Sequence, residues 1–159
     1  MLFEEIVELK SPPKVKNLLW RAVSGCLPTN MKLRSKHVHV LTLFPQCNQG
    51  PETIIHNLVN CTFVQACWLK AEMAGVGTAD GSLVGCLQSV FVRMNKEEVE
   101  LIAVLCWKVW KVRNEVVWWK KGRSVEEVVL LARISLDQWQ KAQVRSYFTY
   151  VSFQVNSEG

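Results

Sequence analysis

The stretch from Lys96 to Lys121 reads as a single helix of roughly seven turns, and it constrains the fold more than any other feature of the chain. Leu101, Leu105, Val109, Val112, Val116 and Trp119 fall on one stripe of it, and Glu97, Glu100, Lys108, Lys111 and Glu115 on another. A helix of this kind needs a partner for its apolar stripe. Gly122 is expected to end it, and Ser124 with Glu127 three residues later forms a capping box for a last helix through Val128, Leu131, Ile134 and Leu136 to about Ala142. Two long helices joined by a short turn make a hairpin. With a moderate helix expected over Leu83–Met94, the second half is helical throughout.

The first half is shorter in its rhythm. Pro12 and Pro13 suit the first turn of a helix carrying Val15, Leu18, Leu19, Ala22 and Val23, which Gly25 stops. Pro28-Thr29-Asn30 supplies a turn and a cap for a second short helix with Met31 and Leu33. His37 to Leu41 alternates like a short strand, and Pro45, Asn48, Gly50 and Pro51 mark a knuckle-like loop after it. Glu52–Asn60 and Thr62–Met73 read as helical. Gly75–Gly81, with Thr78 and Asp80, is the best linker. Tyr147 to Val155 alternates aromatic and β-branched residues, like a strand awaiting a partner. The expected class is therefore mainly α: a small helical knuckle-like domain followed by a long-helix hairpin, with little or no strand. The expected divisions are 1–74, a linker at 75–82, a helical connector at 83–146 and a tail at 147–159.

Composition narrows the function. A chain of 159 residues with 49% hydrophobic residues can bury a core without metal or disulfide, and it is too short for a large multidomain enzyme. The formal charge of +5 makes an anionic partner plausible. The start of the chain lacks the pattern of a secretory signal and no apolar run reaches the length of a membrane span, so an intracellular protein of nucleus or cytoplasm is expected. The six cysteines then read as reduced thiols or metal ligands, with Cys26, Cys86 and Cys106 in the core. Only two Asp occur, Asp80 and Asp137, so the clustered carboxylates of two-metal polymerase or nuclease chemistry cannot be assembled. Cys61 with His56 lacks an orienting acid, and no phosphate-binding glycine loop is present. No enzyme is expected.

Residues 11–22, Ser11-Pro12-Pro13-Lys14-Val15-Lys16-Asn17-Leu18-Leu19-Trp20-Arg21-Ala22, followed by Cys26-Leu27-Pro28-Thr29-Asn30 and Leu33-Arg34, resemble the start of the zinc-binding domain of plant non-LTR retrotransposon reverse transcriptases. Glu52-Thr53, His56, Cys61, Phe63 and Trp68 fall where that family carries its Glu-Thr, its metal-binding His, its final Cys and a helical Trp. Trp107, Trp110, Arg113-Asn114 and Trp118 look like the Trp-x-x-Trp-x-x-Arg-Asn segment that leads toward a ribonuclease H-like domain in the same polyproteins. The resemblance implies a non-catalytic accessory domain, from a truncated element copy, with a metal site of Cys-Pro-x-Cys, His and Cys. Carried over, the ligands are Cys47, His56 and Cys61, but Phe44 stands where the first Cys belongs.

Structural zinc takes four protein ligands, so two readings are open. In one, His39, or else His37, Cys67 or a water, completes a Zn2+ site. In the other, which we favour, the site is vestigial and its thiols serve as small buried hydrophobes. The basic residues Lys14, Lys16, Arg21, Lys32, Arg34 and Lys36 of the first helices are the candidate contacts to an RNA or DNA phosphate backbone, with a solvated basic face as the plainer alternative. The stripe Lys108, Lys111, Arg113, Lys120, Lys121 and Arg123 adds to the nucleic-acid reading. Trp107, Trp110, Asn114 and Trp118 share one helical face, where core packing is favoured over base stacking; a protein partner on the Trp-rich helix or the aromatic tail is the other expectation.

Overall fold

The long hairpin is the spine of the molecule. A computed structural model describes residues 1–77 and 81–157, and among these it contains seven α-helices and no sheet: α1 (Leu2–Glu8), α2 (Pro13–Val23), α3 (Asn30–Ser35), α4 (Thr62–Lys70), α5 (Leu83–Arg93), α6 (Lys96–Trp119) and α7 (Val125–Ser157). A π-helical turn, His56–Asn60, precedes α4. The mainly α class is as expected. Thr78 and Asp80 of the expected linker lie outside the described residues.

Local chemistry sets most of the helix starts. Pro13 opens α2, where its missing N–H has no intrahelical role. Thr29 Oγ1 accepts from the Lys32 N–H at 3.2 Å and so caps α3. Asn95 and Glu98 form a reciprocal box at the start of α6, and Ser124 and Glu127 form another at the start of α7. Replacing Ser124 by alanine is expected to cost about 1 kcal/mol in a urea unfolding experiment, since one first-turn donor loses its acceptor. Gly25 adopts φ +66° directly after α2 and breaks it there.

Tertiary contacts build one continuous hydrophobic cluster from helices of both halves. Helix α2 lies on α6, and the first half of α7 lies between α6 and α4. Val15, Leu18, Leu19 and Ala22 of α2 are buried, as are Leu101, Leu105, Val109 and Val112 of α6 and Val128, Val129 and Ala132 of α7. Helix α1 was not anticipated. Its signal is nevertheless in the spacing of Leu2, Ile6 and Leu9, all buried and one helical face apart.

Several expectations need correction. His37–Leu41 forms no strand; the nearest β feature among the described residues is the single bridge Leu43–Pro51. A lone strand leaves its backbone groups without partners, and the chain instead turns after α3, with His37 at φ +62° and the Val38 N–H donating to the Leu33 carbonyl. For the same reason Tyr147–Val155 is helical: without a partner strand, α7 satisfies its own backbone as far as Ser157. Helix α6 ends at Trp119, ahead of Gly122, with Lys120 in the left-handed conformation. Trp119 of the apolar stripe is exposed, while Glu100 of the polar stripe is buried and accepts a hydrogen bond from Gln140. Cys26 is exposed, because it follows the Gly25 break and leaves the face of α2; Cys86 and Cys106 are core, as read from the sequence.

Candidate metal centre and the buried clamp beside it

The knuckle spans Thr42 to Glu52 and is closed by its own backbone. Phe44 N–H donates to the Gly50 carbonyl at 2.7 Å, Glu52 N–H to the Thr42 carbonyl at 2.7 Å, and Asn48 N–H to the Phe44 carbonyl at 2.8 Å. Asn48 takes φ +53° at the tip, a conformation that Asn tolerates better than most residues. The π-helical turn follows, and its wide step is visible in the bond from the Cys61 N–H to the His56 carbonyl five residues back.

This geometry gathers Cys47, His56 and Cys61, whose ligand atoms all lie within 4.8 Å of one another. Cys47 Sγ and His56 Nε2 are 3.3 Å apart, and the Gln49 N–H donates to Cys47 Sγ. Cys61 sits at the start of α4, where the amides of Phe63 and Val64 point at its sulfur. Burial pushes the Cys61 thiol above its ordinary value, and the two amide contacts work against that. Burial also lowers His56, which favours the neutral imidazole that a metal requires, and the nearby Glu52 charge partly offsets this. Two sulfurs and one imidazole nitrogen suit zinc by type.

A fourth ligand does not come from the residues named for it. His39 and His37 are exposed on the turn after α3 and lie outside the group, and Cys67 is buried within α4 without joining it. Burial raises the Cys67 thiol to about 12. Phe44 has no exposed surface, and its ring meets the His56 ring edge-on at a centroid distance of 5.2 Å. An aromatic ring therefore packs on the imidazole where the resemblance calls for a thiolate. The donors present fit three corners of a zinc tetrahedron, and the described residues supply no fourth.

Beside the knuckle lies a buried ion pair that sequence reasoning did not join. Glu52 and Arg113, 61 residues apart, meet in a two-pronged contact: Arg113 Nε to Glu52 Oε1 at 2.5 Å and Nη2 to Oε2 at 2.7 Å, with both side chains buried. The Asn30 N–H and Asn57 Nδ2 donate to the same carboxylate at 2.5 and 2.8 Å. Arg113 also donates to Asn30 Oδ1 and Asn114 Oδ1 and stacks over the Trp110 ring. One carboxylate thus holds together the knuckle, the start of α3, the π-helical turn and α6. Arg113, expected on the basic stripe, is buried instead; the sequence signal was its place among Val109, Val112 and Val116, where an unpaired guanidinium could not stay.

Residues 2–68 match the family described as zinc-binding in reverse transcriptase. This part of the chain is therefore similar to a zinc-binding region of reverse transcriptases. No curated protein and no solved structure shows a significant match to the chain. The matched residues contain Cys47, His56, Cys61 and Glu52, whereas Trp107, Trp110 and Arg113-Asn114 lie beyond them. Through Arg113, the later segment supports the matched region directly.

The basic residues of the first helices differ in exposure and in their hydrogen-bond partners. Lys14, Lys32 and Lys36 are exposed, Arg21 is half-buried, Lys16 donates to the Val7 carbonyl at 2.7 Å, and Arg34 donates to the Val40 carbonyl. On the Trp face of α6, Trp110 is buried and Asn114 bonds Arg113, Trp107 is half-buried, and Trp118 is 74% exposed. The packing expectation therefore fails for Trp118, one residue before the end of α6, where no neighbouring helix covers it.

Proposed function

We propose that the chain is a non-catalytic accessory module derived from a non-LTR retrotransposon reverse transcriptase, whose knuckle is held by apolar packing and the Glu52–Arg113 clamp, with the metal site a remnant. The observation that carries this is the full burial of Phe44 against His56, beside a donor group reduced to Cys47, His56 and Cys61. If zinc does enter, those three residues hold it, and it supplies only a cross-link, since a structural ion acts by tying its ligands together. The connector 83–146 then serves as a brace for region 1–74. Among the described residues, no helix is long and apolar enough to cross a membrane.

Metal content measured on the purified full chain tests the structural half. The expected result is well under one zinc per chain and a melting temperature that a chelator leaves unchanged. One zinc per chain, with a lower melt after chelation, would overturn the remnant reading.

The functional half is weak binding of RNA or DNA through phosphate contacts from the basic helices. Contact with about four phosphates of a single strand predicts an affinity that falls roughly 50-fold between about 50 and 200 mM salt. Absence of binding at low salt defeats it. A second reading, a protein-interaction module, draws on the exposed Tyr147, Phe148, Tyr150 and Phe153 of α7; an apolar interface of that kind would respond little to salt.

A further inference from the structure

Three ammonium groups converge on one indole. Lys14 Nζ of α2 lies 4.2 Å from the centroid of the Trp107 ring, and Lys108 and Lys111 of α6 lie 4.6 and 4.9 Å from it. Any two of the three are therefore at most about 10 Å apart, close to the screening length of about 8 Å at physiological salt. None of them has a carboxylate at ion-pair distance among the described residues. Glu115, whose charge acts on Lys108, is engaged in a two-pronged contact with Arg123. Lys108 is held below its ordinary value by burial first, and then by Lys111, Lys14 and Arg123.

An indole face attracts one cation readily, but it cannot neutralise three. The packing of α2 on α6 thus creates a concentrated positive site that neither helix carries alone. A bound anion would relieve the mutual repulsion. Trp118 lies on the same helical stripe, eleven residues after Trp107, about 17 Å further along α6 and with its ring in solvent. That spacing covers a few nucleotides of an extended strand. Trp107 itself is occupied by the lysines, which leaves Trp118 as the ring on that stripe open to a base.

We propose that Lys14, Lys108 and Lys111, gathered on Trp107, form the phosphate-binding site for a single-stranded nucleic acid, a base of which a few nucleotides along the strand stacks on Trp118. This inference rests on the nucleic-acid reading above and names the surface that carries it. Recognition is independent of sequence, because it uses phosphate charge and a π face that every base possesses.

The test is fluorescence anisotropy of the full chain with labelled single strands of about 20 nucleotides, DNA and RNA, and with the corresponding DNA duplex. Each variant is first shown to melt as the parent does. Lys14→Gln/Lys108→Gln/Lys111→Gln is expected to weaken binding about tenfold or more at ~50 mM salt and to flatten the salt slope by about 2. Lys14→Gln/Lys111→Gln, which changes only the two exposed lysines, is expected to show the same direction of effect should the triple variant not fold. Trp118→Ala is expected to weaken single-strand binding about tenfold. Lys32→Gln/Lys36→Gln, in α3 and at its C-terminal cap, is expected to change it less than about twofold. If the parent binds and the lysine variants bind equally well, this site is wrong and the nucleic-acid reading stands. If the parent binds no strand at low salt, both fall. Equal affinity for duplex together with a silent Trp118→Ala overturns the assignment to single strands.

Discussion

Replacing Arg113 by methionine is expected to lower the free energy of unfolding by about 3–5 kcal/mol, the largest effect of any single polar substitution in this chain. The reason is asymmetric. Glu52 is fully buried, and its carboxylate is balanced by the two guanidinium contacts as well as by Asn30 and Asn57. Without the guanidinium the charge stays inside the protein with only neutral donors, and its desolvation is no longer offset. Glu52→Gln combined with Arg113→Met is expected to recover part of the loss, because the stranded charge is gone while an acceptor for Asn30 or Asn57 remains. A double-mutant cycle in urea measures the coupling. If Arg113→Met costs less than about 1 kcal/mol, the value of an exposed pair, the clamp does not hold the knuckle.

The second large effect is at Phe44. Phe44→Ala is expected to cost about 3–5 kcal/mol, since it removes a fully buried ring and leaves a cavity against His56. Phe44→Cys separates packing from coordination. Without metal it is expected to be destabilised nearly as much as the alanine variant, because a thiol fills only a fraction of the ring's volume. With zinc it is expected to bind one ion per chain and to melt well above its own metal-free form, as four ligands then surround the position shared by Cys47, His56 and Cys61. Calorimetric zinc titration of parent and variant, each reduced, checks this. A parent that already binds zinc as tightly as Phe44→Cys would show that three donors suffice and that the ring replaces nothing.

Much of the local structure was legible in the residue order, for a physical reason: helix periodicity and end-capping are interactions between near neighbours. Pro13, Thr29, Ser124 with Glu127, and the stripe Leu101, Leu105, Val109 and Val112 each announced their element. The donor set came from the family resemblance instead, and Cys47, His56 and Cys61 lie close together because one loop and one wide turn separate them. What failed was alternation read as strand. His37–Leu41 and Tyr147–Val155 have the period of a strand but lack a neighbouring strand, and pairing is a property of two segments. The environment at the ends of α6 was equally out of reach: Trp119 continues the apolar stripe past the point where another helix covers it.

Residue order alone determined the class of the chain, the starts of its long helices and the presence of a phenyl ring at position 44, where the family resemblance calls for a thiolate. Tertiary packing decided the rest. It sent Arg113 across 61 residues to Glu52, made Glu52 of the Glu52-Thr53 motif a buried anchor, and laid Lys14 beside Lys108 and Lys111 on one indole. A charge shows its sign in sequence, but whether it is paired, stranded or massed with others depends on which helices meet, and only the packed core fixes that.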